Sequence, residues 1–118
     1  MTPKRLALVA LLCCVAVVGA TQSAAGAAKT HACRPIHNPY PGTRYEGSDL
    51  YGIRATGVSC TTARKVVRNA HRKALGVTPS PTGIRHLTWH GWHVTGDLRP
   101  AHDKYVATRG SATVRWRF

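Results

Sequence analysis

Hydrophobic and polar positions alternate in several distinct rhythms along the chain, and each rhythm predicts an element. Behind Lys4-Arg5 the residues from Leu6 to Val18 are apolar without interruption. Thirteen residues are too few to cross a hydrocarbon layer of about 30 Å as a helix. From Lys29 to Asp49 there is no period at all, because Pro35, Asn38, Pro39, Pro41, Gly42, Gly47 and Ser48 break every candidate run. In "DLYGIRATGVSC", Ile53 and Ala55 alternate with polar neighbours until Gly57, which predicts a short strand.

The rhythm then changes from two to between three and four. Cys60, Ala63, Val67, Ala70 and Ala74, with Val66 beside them, form one narrow apolar stripe and predict a helix over about 60–75. Ser59 is its expected N-cap, and Gly76 after Leu75 is expected to supply a left-handed C-terminal residue. "VTPSPTGIR" reads as a connection. "HLTWHGWHV" reads as one strand, with His86, Thr88, His90, Trp92 and Val94 on one face and Leu87, Trp89, Gly91 and His93 on the other, and with Gly91 able to bend it. A loop around Gly96 to Asp103 follows. Tyr105 and Ala107 then alternate with Val106 and Thr108, Gly110-Ser111 marks a turn, and Val114, Trp116 and Phe118 share a face opposite Thr113, Arg115 and Arg117. The predicted fold is α+β: one helix packed on a small, mainly antiparallel sheet that ends in a C-terminal hairpin.

Residues 1–28 read as a signal peptide, and small residues allow cleavage after Ala20, Ala25 or Ala28. An extended arm over 29–49 and a small α+β domain over 50–118 would make up the mature, secreted, extracellular protein, with no membrane-spanning segment after processing. Cys13 and Cys14 would leave with the signal. Cys33 and Cys60 are then the only cysteines left in an oxidising compartment and are expected to form a disulfide that ties arm to domain. Closing that loop is worth roughly 3.5 kcal/mol in the chain-entropy model, a large share of the stability of so small a domain.

Of 17 lysines and arginines, all but Lys4 and Arg5 remain, so 15 cations face only Glu46, Asp49, Asp97 and Asp103, a net charge of +11. Such a balance attracts polyanions and governs encounter more than recognition. The expected partner is a polyanion or an anionic cell-envelope component, bound without specificity. No module that reads nucleic-acid sequence is present. Arg64, Lys65, Arg68 and Arg72, clustered on the far face of the helix with Lys73 toward its edge, and Arg115 and Arg117 beside Trp116, are the candidate anion-binding residues.

Catalytic chemistry is thinly represented. The four acids lie in turn-like segments where turn bonding accounts for them, no Gly-x-Ser-x-Gly is present, and the remaining thiols are expected to be oxidised. No enzyme activity, cofactor or metal site is expected. His86, His90 and His93 would gather only on a helix, which Thr88, Gly91 and two tryptophans disfavour. Cleavage after Ala28 would start the chain Lys29-Thr30-His31, whose amine, amides and imidazole could form a square-planar set for Cu(II). The leading expectation is a non-enzymatic binding or surface-associated protein. The alternative is a small protease or enzyme inhibitor that presents the 33–47 loop.

"IRATGVSCTTARKVV", the later Gly91-Trp92 pair and the closing "GSATVRWRF" resemble a group of small secreted actinobacterial (high-GC Gram-positive) proteins whose function is mostly unassigned. That group carries an I-x-A-x-G-V-S-C-x-x-A-x-x-V segment, a Gly-Trp-x-Cys strand and a late strand with a Cys before an Arg-Gly turn. The resemblance spans Cys33 to Phe118. It implies an exported α+β domain with a bridge at Cys33 and Cys60, and no particular activity. Val94 and Ala107 stand where the second bridge would be, so both of its halves are replaced by small apolar residues expected to be neighbours on adjacent strands.

Overall fold

The computed structural model describes residues 29–118; the predicted signal peptide, with Cys13 and Cys14, lies outside the described residues. Among the described residues six strands and one helix occur in the order β1 (Thr30–Ala32), β2 (Tyr51–Thr56), α1 (Cys60–Ala74), β3 (Ile84–Trp89), β4 (Trp92–Asp97), β5 (Lys104–Arg109) and β6 (Ala112–Arg117). They form a single sheet of spatial order β1-β2-β6-β5-β4-β3 in which every neighbouring pair is antiparallel. The last four strands are a meander. The chain therefore leaves β2 near one edge and must reach β3 at the other, and α1 makes that crossing over one face of the sheet. The α+β fold with a single helix and a C-terminal hairpin is the one that the periodicities predict.

Ser59 caps α1 as expected, its hydroxyl accepting from the Thr62 amide at 3.2 Å. The buried positions Ala63, Val66, Val67, Ala70 and Ala74 let the helix sit close on the sheet, against Ile53 and Ala55 of β2, Val94 of β4, Ala107 of β5 and Val114 and Trp116 of β6. The expected left-handed Gly76 is not found. Leu75 remains right-handed, and the chain leaves the helix through short turn bonds, Gly76 N–H to Lys73 and Val77 N–H to Ala74. The apolar stripe also has a polar member, His71, which is fully buried.

Two further expectations are corrected. "HLTWHGWHV" is two strands and a two-residue turn. His90 (φ 45°) and Gly91 (φ 78°) both take left-handed backbone, the conformation that lets a two-residue turn follow the twist of a hairpin. Side-chain parity therefore resets at the turn. Trp89 faces Trp92 and Leu87 faces Val94 on the helix side, while His86, Thr88, His93 and Thr95 lie on the open side. His93 thus shares a face with His86, contrary to the single-strand reading.

The segment 29–49 is likewise no separate extended arm. Thr30–Ala32 is an edge strand, Ile36 pairs with Leu50 through both backbone hydrogen bonds, and Ile36 and Tyr40 are buried in the domain. Beyond Tyr40 the chain curls through consecutive turns, with Gly42 and Gly47 at positive φ.

Candidate anion-binding site

The bridge between Cys33 and Cys60 is present, with Cα atoms 5.4 Å apart. It joins the residue after β1 to the first residue of α1 and so fixes the end of the arm against the helix N-terminus. Its sulfurs help to line an open cleft of about 540 Å³ whose rim carries Arg34 from the arm and Arg64, Lys65 and Arg68 from the helix. Helical spacing explains the three on α1: residues 64 and 68 stack one turn apart and 65 adjoins them. Arg34 was missed among the candidates because only the disulfide brings it there. Sequence separation hides the contact.

No carboxylate lines this cleft. Among the described residues only two ion pairs occur, His37–Asp49 and Arg99–Asp97, so of the 15 cations Arg99 alone is paired. Arg64 is the most constrained of the rim. One terminal nitrogen donates to the Pro35 carbonyl at 3.3 Å, while its Nε is buried without a partner. A smaller cleft lined by Arg34, Pro35, His37 and Arg64 continues the groove along the arm.

The remaining candidates lie elsewhere. Arg72 is exposed two turns beyond Arg64, near Tyr40. Arg115 and Arg117 project from the opposite, uncovered face of the sheet, where Arg115 stands directly across from Arg54 and Arg117 across from Lys104. Directly opposed like charges destabilise a strand pair. This second basic surface is flanked by Asp97, which the Arg99 side chain and amide hold down at about 2.

The acids serve local structure. Asp49 accepts from the Asn38 amide and from His37, and both bonds lower its pKa; Asp97 is chelated by Arg99 at 2.9 Å through two nitrogens. Asp103 pairs through its backbone with Phe118, and burial raises its carboxyl. In the β3–β4 hairpin His86 bonds Thr95 and shares the open face with His93, which is opposite Thr88, while His90 forms the turn. Among the described residues, the one cluster of three metal-capable side chains is His31, Cys33 and Cys60, with donor atoms within 4.8 Å of one another, but its two sulfurs are joined to each other. Thr30 and His31 belong to β1, and the Thr30 hydroxyl bonds that of Thr56 at 2.7 Å, so wrapping Cu(II) in Lys29-Thr30-His31 would peel this strand off the sheet. No helix among the described residues is long and apolar enough to cross a membrane.

No protein-family model matches the chain, and neither the curated proteins nor the solved structures contain a match to it.

Proposed function

We propose that the mature chain is an exported, non-enzymatic polyanion-binding protein whose principal contact is the cleft beside the disulfide. The observation that carries this reading is the placement of four cations, Arg34, Arg64, Lys65 and Arg68, around one cleft that holds no counter-charge. Cations that fold into a common groove without an intramolecular counter-charge retain their attraction for an external anion, and a groove continuing past Arg34 toward His37 suits a chain of anions better than a single one. Asp49 and Asp97, whose carboxylates are bonded to neighbours, add support for a binding role over a hydrolytic one.

Titration with fluorescent polyphosphate and with a sulfated polysaccharide over a range of salt tests this. Affinity should fall steeply as salt rises, because each contact releases a condensed counterion. Arg34→Gln, Lys65→Gln and Arg68→Gln combined remove exposed side chains and leave the core intact; together they should weaken binding by about tenfold or more at low salt, judged from the counterions lost. Arg115→Gln with Arg117→Gln should weaken it less. Salt-independent binding, or an unchanged affinity in the cleft variant, would overturn the proposal.

A further inference from the structure

On the other flank of α1 the same cationic band meets an aromatic corner. Lys65, which lines the disulfide cleft, also lines a second one of about 260 Å³ together with Trp89, His90 and Arg109. The two clefts therefore share Lys65 in their walls. Trp89 is only partly buried at the end of β3, and the His90 ring lies 4.4 Å from it, tilted by 51°, because the left-handed turn swings His90 beside its neighbour. Trp92 is buried and capped by the Arg109 guanidinium at 4.6 Å, whereas Trp89 packs against the margin of the core and keeps part of its indole accessible.

We infer that Trp89 and His90 form a stacking subsite for the bases of single-stranded nucleic acid, whose phosphates run along Lys65 and Arg109 into the disulfide cleft. This rests on the polyanion reading and names the polymer. The lining chemistry separates the possible polymers. Lys65 and Arg109 only donate hydrogen bonds, and the side-chain acceptors of the corner are limited to the Thr62 hydroxyl and the His90 ring, with no carboxylate or carboxamide among the described residues that line it. A sugar ring exposes hydroxyls that ask for acceptors as well as donors, whereas a phosphodiester only accepts and the face of a base needs only another ring. Duplex nucleic acid keeps its base faces within the stack, so the strand must be single. Stacking on a ring face tolerates every base, so little sequence preference follows from it.

The test compares the unmodified protein binding a short oligothymidylate, an abasic oligomer with the same number of phosphates, a duplex of the same length and a sulfated polysaccharide. The oligothymidylate should bind about tenfold more tightly than the abasic oligomer and should quench the fluorescence of Trp89, Trp92 and Trp116 being enclosed. Trp89→Leu should remove the advantage of the bases and leave the abasic affinity unchanged. His90→Asn, which keeps a residue tolerant of left-handed backbone in the turn, should reduce it in part. Equal affinity for thymidylate and abasic oligomers, or tighter binding of the duplex, overturns the stacking subsite and leaves the polyanion reading in place. Preference for the sulfated polysaccharide, unaffected by Trp89→Leu, does the same. Failure to bind any of the four overturns both.

Discussion

His71 is the residue whose environment departs furthest from what its type suggests. It is fully buried on the helix stripe, its Nδ1 bonds the Tyr40 hydroxyl, and Tyr105 and Phe118 pack against its ring with centroids 4.9 and 4.4 Å away. Since that hydroxyl has no other partner, it donates to Nδ1 and leaves the ring proton on Nε2, which has no acceptor. Burial, assisted by the charge of Arg85, pushes the imidazole down to about 3, and burial raises Tyr40 to about 12. A histidine held neutral in the folded state and free to charge near 6.5 when unfolded contributes stability in full above 6.5, and that stability is lost as pH falls from 6.5 toward 3. The slope is about 1.4 kcal/mol per pH unit within that window. Thermal melts from pH 7 to pH 4 should therefore show a steep loss of Tm in the unmodified protein. In His71→Gln, which can still accept from Tyr40 but does not titrate, the melting point should start lower and fall less. Parallel slopes would show that His71 is not the group responsible. The position was legible in part: residue 71 stands four after Val67 and three before Ala74, on the stripe itself, but a polar residue type hides a core position that a tyrosine thirty-one residues earlier makes tenable.

Between elements, the decisive feature is the register of the meander. Leu87, Val94, Ala107, Val114 and Ala55 form one row across five strands on the helix side, four of them fully buried. Val94 and Ala107 are direct partners on adjacent strands, as expected. The next row shows how a glycine can be required in a strand. Gly96 lies opposite Tyr105, a Cβ there would run into the Tyr105 ring, and that ring is held from behind by Trp116, stacked at 5.3 Å and 6°. Antiparallel partners stand about 4.5 or 5.5 Å apart at Cα, and both spacings lie within the range a disulfide spans. Val94→Cys combined with Ala107→Cys should therefore form a second bridge during oxidative folding and raise the melting point. Each substitution alone should leave a buried thiol and cost up to about 1–3 kcal/mol through lost volume or overpacking. Mass spectrometry with thiol labelling decides it: two free thiols in the oxidised double variant would contradict this register.

At the scale of the molecule, the disulfide has two consequences. It removes loop-closure freedom from the unfolded chain, and it holds Arg34 beside Arg64, Lys65 and Arg68. Cys33→Ala with Cys60→Ala should thus lower stability by about 3.5 kcal/mol in urea unfolding. It should also weaken polyphosphate binding under conditions where the variant is still folded, because β1 is a three-residue edge strand and the arm loses its anchor. Binding that is unchanged while stability falls would mean the cleft does not depend on the bridge. The open face of the sheet, with Arg54 across from Arg115 and Lys104 across from Arg117, is a place where salt should stabilise the fold.

The local rhythms determined the α1 stripe, its Ser59 cap, strand β2 and the C-terminal hairpin, because each follows from the spacing of apolar side chains within a dozen residues and from the turn residues beside them. With Cys13 and Cys14 assigned to the expected signal peptide, Cys33 and Cys60 were the one pair left to join. The break inside "HLTWHGWHV" was equally local, a His-Gly pair between two tryptophans, but reading the run as one strand concealed it; once the turn is inserted, alternation resumes with the opposite parity and both tryptophans face inward. What tertiary structure alone decided is which cations meet. Arg34 and Arg64 are thirty residues apart, Arg115 and Arg117 were displaced to the far side of the sheet by strand alternation combined with the side on which α1 packs, and Lys65 became the link between a disulfide cleft and an aromatic corner only when the helix was laid across a finished sheet. Side-chain periodicity specifies which face of an element is polar; which other polar faces it joins depends on strand order, and strand order is set by packing between residues far apart in the chain.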